Sequence, residues 1–391
     1  MPRSLNILTL STLFPNAVSP NFGIFVERQT AELAGRAETD VTVVNPIGIP
    51  PWPLRGLRPY RGLSALPVHE QWRGLNVYRP RFTVIPKVGG ANNPNRIAAA
   101  ILPLVQQLHA QKPFDLIDTE FFYPDGPAAM RLSKALNIPF TIKARGADIH
   151  LWGSNPECTP QILAAADQAA GLLAVSQALK QDMIDLGMDG EKIAVHYTGL
   201  DQQKFKPLER STAKAGLNVH GPLFICVGAL IKRKNQALVI EAMLSCPDAT
   251  LLLVGTGEEE TAYRTLAEKL GVQKQVRFLG NVPHDELPAL VAAADIAILP
   301  SKSEGLANAW VEALSCGTPI IISEAGGARE LVRNDFAGQI VEQDSLAITE
   351  AIKTILADPP EQDDVRSTVS HFSWRNNGDA LVNLFGEIVQ R

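Results

Sequence analysis

The sequence has 391 residues, of which 46% are hydrophobic and 20% are charged. This length exceeds what one hydrophobic core usually serves and predicts two domains, while the mixed composition excludes a disordered or fibrous protein. The net charge of −5 is unevenly spread, because residues 1–112 hold 12 Lys and Arg against 5 Asp and Glu, a local balance of +7. These basic residues are scattered and lack interleaved aromatic residues, so nucleic acid is not the expected partner.

Short β-branched runs alternate with helix-like stretches along the chain, which is typical of βαβ units and parallel sheets. In the first half we predict strands at Ile7–Leu10, Val41–Asn45, Leu116–Thr119, Phe140–Lys143, Leu172–Ser176 and Ile193–Tyr197. In the second half we predict strands at Leu223–Val227, Thr250–Val254, Val276–Leu279, Ile296–Leu299 and Ile320–Ser323. Predicted helices between the later strands include Asn235–Leu244, Glu258–Leu270 and Asn308–Cys316.

Residues 46–97 interrupt this pattern. They are rich in Pro, Arg and Gly and weakly periodic, which predicts a long insertion with little regular structure. Aromatic residues alternate there with arginines, in Trp52, Arg55, Arg58, Tyr60 and Arg61. Such residues suit an anionic lipid surface, so one hypothesis is peripheral contact with the inner face of the plasma membrane; an ordinary solvated loop is the alternative.

The domain boundary is predicted within Gly199–Arg210, where Pro207 and polar residues separate two strands. We therefore predict two Rossmann-like, doubly wound domains, residues 1–205 and 206–373. Open α/β sheets bind ligands beyond the carboxyl ends of their strands. A ligand site in a cleft between the two domains is the resulting expectation.

The four cysteines lie far apart and form no Cys/His pattern of the kind that zinc or redox sites need. No apolar run approaches the roughly 20 residues of a membrane span, and polar residues interrupt the N-terminal apolar segment, which favours a first strand over a signal peptide. We expect a cytoplasmic protein that needs no metal or other cofactor.

Three residues of the first domain follow predicted strands and are candidate ligand contacts. Gly23 precedes a helix after the first strand, where its amide can approach a phosphate, although a plain turn glycine is equally consistent. Arg145 and Asp148 follow the strand Phe140–Lys143, and a salt-bridged loop is the alternative interpretation of that pair.

In the second domain, the loop after strand Leu223–Val227 is a candidate phosphate loop. Gly228 allows a tight turn, and Lys232, Arg233 and Lys234 place three cations at the carboxyl end of a strand, where a diphosphate would lie. A solvated charge run is the alternative.

A polar turn after strand Ile296–Leu299 carries the most informative pattern. Glu304 lies in the turn and Glu312 about two helical turns further on, so both can reach one extended ligand from different ends. The turn precedes a helix whose first amides and dipole favour a phosphate or sugar oxygen; the residues concerned are Gly305, Leu306, Ala307 and Asn308.

With these residues, the sequence resembles the retaining glycosyltransferases of group 1, or family 4, which have the GT-B fold. The Glu-x7-Glu motif lies in SEGLANAWVEALSCGTPIIISEAGGARELV, and VGALIKRKN resembles the phosphate loop of the family. Further matching segments are LLLVGTG, VRFLGNV, AVSQALKQDM, YTGLDQQKFKP and FSWRNNGDALVNLF. The last of these is similar to the C-terminal helix of the family, which implies that a helix over residues 374–391 returns to the first domain. The N-terminal LSTLFPN and FGIFVERQ resemble members that build bacterial exopolysaccharide or teichuronic acid.

The resemblance implies a role for each matching residue. Glu304 would contact donor-sugar hydroxyls, Glu312 the ribose, Lys234 the diphosphate, and the backbone near Val282 the base. The sequence departs from the family at Ala229, where an arginine is usual, and at Arg145, where many members have a histidine. Lys232 or Arg233 would supply the missing charge.

The resulting hypothesis is retaining transfer of a sugar from a nucleoside-diphosphate sugar to a saccharide or lipid-linked acceptor, in bacterial cell-surface polysaccharide synthesis. Lys234 and the helix-end amides would stabilise the departing diphosphate in the transition state. A nucleotide-sugar epimerase or phosphorylase on the same fold, or a non-catalytic sugar-nucleotide-binding subunit, are the alternatives.

Overall fold

The computed structural model describes residues 4–57, 60–86 and 90–390. The chain forms two compact units, one of Met1–Gly199 with Trp374–Arg391 and one of Leu200–Ser373. The change of unit at Gly199 and Leu200 lies six residues before the predicted boundary. Both units pack helices around parallel sheets, which confirms the predicted α/β fold class.

The strands of the first unit are β1 (Leu5–Leu10), β2 (Thr39–Val44), β3 (Ile47–Ile49), β4 (His69–Trp72), β5 (Leu75–Tyr78), β6 (Arg81–Thr83), β7 (Leu116–Thr119), β8 (Phe140–Ala144), β9 (Gly171–Ala174) and β10 (Ile193–Val195). Eight of them form one sheet in the order β10-β9-β8-β7-β1-β2-β5-β4. Only the β4–β5 pair within this sheet is antiparallel among the described residues. The central strands β1, β7 and β8 are buried along nearly their whole length because helices cover both faces of a parallel sheet.

The helices that cover this sheet are α1 (Ile24–Ala34), α2 (Asn93–Gln111), α3 (Asp125–Leu136), α4 (Ala147–His150), α5 (Thr159–Gln168) and α6 (Gln177–Asp185). The C-terminal helix Trp374–Gln390 also packs here. Its apolar face, formed by Leu381, Phe385 and Ile388, joins Ile7 and Leu116 of the sheet in one buried cluster.

The prediction of an irregular insertion over residues 46–97 is wrong. This segment holds β3 to β6 and the start of α2, and β5 extends the central sheet by pairing with β2 in parallel. β4 and β5 form a hairpin around Arg73 and Gly74, both with positive φ. The strands are only three or four residues long, too short for a clear two-residue periodicity to stand out among the prolines and arginines.

The strands of the second unit are β11 (Leu223–Val227), β12 (Thr250–Val254), β13 (Val276–Gly280), β14 (Ile296–Leu299), β15 (Ile320–Ser323) and β16 (Gly338–Val341). Its helices are α7 (Arg210–Gly216), α8 (Gln236–Ala242), α9 (Glu260–Leu270), α10 (Leu287–Ala293), α11 (Asn308–Ser315), α12 (Ala328–Leu331), α13 (Ser345–Ala357) and α14 (Gln362–Ser367). The sequence did not predict β16, a four-residue strand that begins at a glycine.

The strand order of the second unit determines where a ligand can bind. The sheet runs β13-β12-β11-β14-β15-β16, and β11 pairs with both β12 and β14 in parallel. The chain leaves β11 toward one edge of the sheet and returns to build the other half from β14. The carboxyl ends of β11 and β14 therefore flank the topological switch point, where open α/β sheets bind ligands.

Candidate active site

The loops after β11 and β14 lie against each other at this switch point. The Lys302 amide donates a hydrogen bond of 2.8 Å to the Arg233 carbonyl oxygen, and the Arg233 guanidinium donates to the Ser303 carbonyl oxygen. The predicted phosphate loop and the predicted glutamate turn thus form one backbone-linked structure, although 70 residues separate them in sequence.

Glu304 forms ion pairs with two cations of the phosphate loop. Its Oε1 pairs with Lys234 Nζ, and its Oε2 lies 3.3 Å from a guanidinium nitrogen of Arg233. The Glu304 side chain is 9% exposed and that of Lys234 is 13% exposed, whereas Arg233 is 40% exposed. Both cations contact one shielded carboxylate, which holds their side chains in place. They would therefore need little rearrangement to bind a diphosphate.

The remaining loop residues occupy distinct places. Gly228 continues the sheet, since its amide donates a 2.9 Å hydrogen bond to the Val254 carbonyl oxygen. Ala229 and Lys232 are exposed. Lys232 opens the short 3₁₀ turn Lys232–Lys234. The structure therefore places three cations on one turn, with one of them facing solvent.

The start of α11 presents open amides next to Glu304. Ala307 is the N-cap residue, and no side chain caps the helix. Within the described part of the chain, the amides of Leu306, Ala307 and Asn308 donate no hydrogen bond. Unpaired amides and the positive end of the helix dipole make this position favourable for a phosphate or sugar oxygen.

Gly326, which sequence reasoning did not single out, packs closely against the backbone of the glutamate turn. It lies after β15 with a φ of +49°, and a Cβ there would come within 2.3 Å of the Glu304 carbonyl oxygen. The neighbouring Gly327 amide donates 2.9 Å to the Gly305 carbonyl oxygen. The Gly326–Gly327 pair after a predicted strand was the available sequence signal for this close backbone approach.

Glu312 lies on α11 and contacts a different loop. Its Oε1 accepts a 2.8 Å hydrogen bond from Nε2 of His284, in the segment after β13 that also contains Val282. The His284 ring meets Phe205 edge-on, with centroids 5.2 Å apart. Sequence reasoning missed His284, because a single histidine 28 residues before a glutamate carries no local signal.

In the first unit, the backbone conformation at position 23 requires a glycine. It is the N-cap residue of α1 with a φ of +72°, and a Cβ there would lie 2.5 Å from the Leu13 carbonyl oxygen. Gly23 therefore allows the loop after β1 to fold back against the start of α1.

Arg145 contacts Glu120, a residue that sequence reasoning did not identify. The guanidinium pairs with Glu120 Oε2, and its carbon lies 4.9 Å above the ring centroid of Phe25. Both side chains are shielded, at 7% and 0% exposure. Arg145 and Glu120 follow β8 and β7, which are adjacent in the sheet, so the pair lies at its carboxyl edge.

Beneath this pair lies a buried polar cluster. Lys143 Nζ lies 2.7 Å from Gln29 Oε1 and 2.5 Å from His196 Nδ1, and His196 Nε2 lies 2.9 Å from the Asn377 carbonyl oxygen. Since a carbonyl oxygen only accepts, His196 is protonated on Nε2 and accepts from Lys143 on Nδ1. Burial, together with neighbouring positive charge, lowers the pKa of both Lys143 and His196 well below their usual values.

The carboxyl groups of the cluster shift in opposite directions. Burial and the charge of Glu120 raise the pKa of Asp118 well above its usual value. Burial acts to raise the pKa of Glu120 as well, but Arg145 and Lys143 lower it below its usual value. Pairing with Arg145 thus favours the ionised form of Glu120, whereas burial acts on Asp118, Lys143 and His196 in favour of their neutral forms.

Asp148 organises the turn that carries Arg145. Its buried carboxylate accepts hydrogen bonds from the amides of Arg145, Gly146 and Phe122. The nitrogen–oxygen distances are 2.9, 2.8 and 2.8 Å, respectively. Burial nevertheless raises the pKa of Asp148. The geometry gives Asp148 a positioning role toward the backbone of the Arg145 turn.

Within residues 4–57, 60–86 and 90–390, no group of three or more His, Cys, Asp or Glu side chains is arranged to hold a metal ion. Membrane-spanning helices are likewise absent from the described residues, since none of these helices combines the necessary length with apolar character.

Comparison with known proteins identifies the family. Residues 208–370 match the glycosyl transferases group 1, and residues 26–204 match glycosyltransferase family 4. A D-inositol 3-phosphate glycosyltransferase of Corynebacterium glutamicum is 30% identical over 371 residues, which cover 86% of each protein. The chain belongs to the group 1, family 4 glycosyltransferases.

Other known proteins are similar to this glycosyltransferase over nearly the whole length. TuaC of Bacillus subtilis, named for teichuronic acid biosynthesis, is 29% identical over 96% of this glycosyltransferase and 97% of TuaC. Among solved structures, a sucrose-phosphate synthase from Thermosynechococcus elongatus has a TM-score of 0.81 at 21% identity and covers 99% of both chains. Anabaena HepE has a TM-score of 0.76 at 21% identity, over 98% of this chain and 100% of HepE. The glycosyltransferase therefore has the GT-B fold.

Proposed function

We propose that this glycosyltransferase moves a sugar from a nucleoside-diphosphate sugar to a saccharide or lipid-linked acceptor. The observation that carries the proposal is the Lys234–Glu304–Arg233 ion cluster beside the open amides of α11, at the switch point between β11 and β14. Cations and amides at one point suit a diphosphate, and an adjacent carboxylate suits sugar hydroxyls.

Each residue of the second unit has a role in this proposal. Lys234, with Arg233 and exposed Lys232, neutralises the charge that grows on the diphosphate as the anomeric bond breaks. The amides of Leu306 to Asn308 donate hydrogen bonds to the same phosphate or to a sugar oxygen, and Gly228 and Gly305 shape the two turns. Because these groups are held before the donor arrives, little reorganisation is needed in the transition state.

Recognition of the rest of the donor is assigned to three positions. Glu304 accepts hydrogen bonds from sugar hydroxyls, Glu312 from the ribose, and the backbone at Val282 contacts the base. HepE, which shares the fold, has been solved in complex with UDP and glucose and with UDP-glucose, which supports a nucleotide sugar as the donor.

The first unit contributes the proposed acceptor side. By its resemblance to the family, Arg145 occupies the position where many members have a histidine. It is paired with Glu120 and shielded from solvent. We assign it contact with the reacting sugar or phosphate, with Asp148 fixing its turn and Gly23 allowing close approach of the loop after β1.

Membership of the family supports three finer proposals. We propose that transfer retains the anomeric configuration, that it needs no metal or other cofactor, and that it takes place in the cytoplasm. The name of TuaC supports a role in bacterial cell-surface polysaccharide synthesis.

A donor screen tests the proposal. Purified protein is incubated with UDP-, GDP- and ADP-sugars, and release of the nucleoside diphosphate is followed with and without EDTA. We expect slow hydrolysis of one donor class, unaffected by EDTA, to a sugar whose first-formed anomer by NMR matches that of the donor. Lack of turnover with every donor would contradict the proposed reaction, and an inverted anomer would contradict retention alone.

We propose in addition that the segment Trp52–Arg61 contacts an anionic membrane. The Trp52 side chain is 78% exposed and that of Leu57 is 58% exposed, while Arg55 and Arg61 are also exposed. Arg58 lies outside the described residues. Exposed apolar side chains beside cations can insert at a headgroup interface while the cations meet anionic lipids, at about 1 kcal/mol for each cation.

Sedimentation with liposomes tests this contact. We expect binding to rise with anionic lipid content, to fall with added salt, and to weaken when Arg55, Arg58 and Arg61 become Glu. The matched control replaces three exposed cations of the second unit by Glu, namely Arg264, Arg329 and Lys353. Equal recovery with neutral and anionic vesicles, or equal loss in both triple variants, would contradict the proposed surface.

A further inference from the structure

The contact between His284 and Glu312 joins two separate parts of the second unit. His284 follows β13, whereas Glu312 lies on α11 after β14, and the two strands are separated by β12 and β11 in the sheet. The 2.8 Å hydrogen bond from Nε2 to Oε1 is shielded, with side chains 14% and 11% exposed. A shielded hydrogen bond to a carboxylate is stronger than one in bulk water.

His284 is itself held in place. Phe205, which is fully buried, contacts the imidazole edge-on, and the Phe205 carbonyl oxygen accepts a 2.7 Å hydrogen bond from Ser315 Oγ on α11. The next residue in sequence, Asp285, pairs with Lys204 at 2.8 Å. The ring is thereby fixed relative to the same helix that carries Glu312.

Fixing one oxygen of Glu312 restricts the other. A glutamate on a helix surface samples several rotamers, but a hydrogen bond to Oε1 limits the directions in which Oε2 can accept. The carboxylate then offers an oriented acceptor at a defined place, instead of a mobile charge.

We propose that His284 is a positioning residue that orients Glu312 toward the ribose of the donor, and so determines how strongly the site distinguishes ribose from deoxyribose. This inference rests on the proposed function, in which Glu312 accepts hydrogen bonds from ribose hydroxyls. A site built to bind a hydroxyl rejects the analogue that lacks it, because its polar group is left unpaired. That rejection requires the carboxylate to be held where the hydroxyl would lie.

The experiment compares the affinities of the full-length protein for UDP, GDP and ADP with those for their 2′-deoxy and 3′-deoxy counterparts, by calorimetry. His284→Phe keeps an aromatic ring against Phe205 but removes the donor, and we expect the preference for ribose to fall about tenfold. His284→Gln keeps an N–H donor near the position of Nε2, and we expect it to retain most of the preference. Glu312→Ala should abolish the preference.

The outcomes separate the two proposals. If Glu312→Ala abolishes the preference while His284→Phe leaves it unchanged, the positioning role is wrong and the ribose assignment stands. An equal loss of affinity for ribose and deoxyribose ligands in His284→Phe would also overturn the positioning role, since it would indicate general disruption. If wild type shows no preference, or Glu312→Ala does not change it, the ribose assignment itself fails. Should His284→Phe not fold, His284→Asn, which moves the donor closer to the backbone, replaces it with the same expected loss.

Discussion

Glu304 depends on residues from two loops that are distant in sequence. Lys234 and Arg233 bind its carboxylate, and Gly326 packs against its carbonyl oxygen. The position of the carboxylate is therefore determined by tertiary contacts, and a change at Gly326 acts on Glu304 without touching any group that would contact a ligand.

Gly326→Ala tests this dependence. The new Cβ would meet the Glu304 and Gly305 carbonyl oxygens at 2.3 and 2.5 Å, so the turn must shift. We expect a loss of more than about 2 kcal/mol in the free energy of unfolding in urea, and a fall in donor turnover. The control is Gly271→Ala at the end of α9, where φ is +76° but nothing lies within 4 Å of the new Cβ. It should cost only about 1 kcal/mol and leave turnover unchanged. Equal effects of the two substitutions on stability and turnover would contradict the role of Gly326 in positioning the Glu304 turn.

The sequence indicated the residues at strand ends but not their partners. Glu304 and Lys234 were recognisable because each follows a predictable strand by a few residues, and Glu312 because it lies about two helical turns beyond Glu304. Glu120 and His284 were not, because their partners lie 25 and 28 residues away in sequence and meet them only after the sheet has formed. Contacts of this kind leave no periodic or local pattern.

At the scale of elements, prediction succeeded where a strand is buried on both faces. β7, β11, β12, β14 and β15 have the predicted bounds, since each is an almost entirely buried run rich in aliphatic and β-branched residues. It failed for β3 to β6 and for β16, which are short and contain polar residues or glycine. β4 pairs on only one side and β16 is an edge strand, so their sequences carry little of the burial signal.

The last helix illustrates a further limit of local prediction. Its apolar face, with Leu381, Phe385 and Ile388, is evident from helical spacing. Its packing partners are not, because Ile7 and Leu116 lie hundreds of residues earlier. Family resemblance, and not periodicity, indicated that this helix returns to the first unit.

At the scale of the whole molecule, the strand order of each sheet explains why the candidate residues gather at carboxyl ends. In the second unit the switch point lies between β11 and β14, and in the first unit β1 lies between β2 and β7. The loops at these points contain Lys234, Glu304, Gly23 and Glu120. The Rossmann-like topology thus accounts for two separate groups of candidate residues without any further assumption.

A lysine–carboxylate pair at the amino ends of the strands in the second sheet offers a control for the assignment of the active site to their carboxyl ends. Lys214 Nζ pairs with Asp295 Oδ2 at 2.5 Å, and the same oxygen accepts from the Leu223 amide at the start of β11. This pair, like Lys234–Glu304, is a shielded lysine–carboxylate contact, but it lies at the amino ends of β11 and β14. It therefore differs from the proposed site mainly in which edge of the sheet it occupies.

The most direct test measures kcat/KM for nucleoside-diphosphate release in Lys234→Ala and Lys214→Ala, with the donor that the screen identifies and with folding checked by thermal unfolding. Because Lys234 is proposed to stabilise the departing diphosphate, we expect Lys234→Ala, like Glu304→Gln, to lose at least about 10²-fold. Lys214→Ala should remain within a few-fold of wild type. Wild-type turnover in a folded Lys234→Ala protein, or an equal loss in Lys214→Ala, would contradict the assignment of the active site to the ends of β11 and β14.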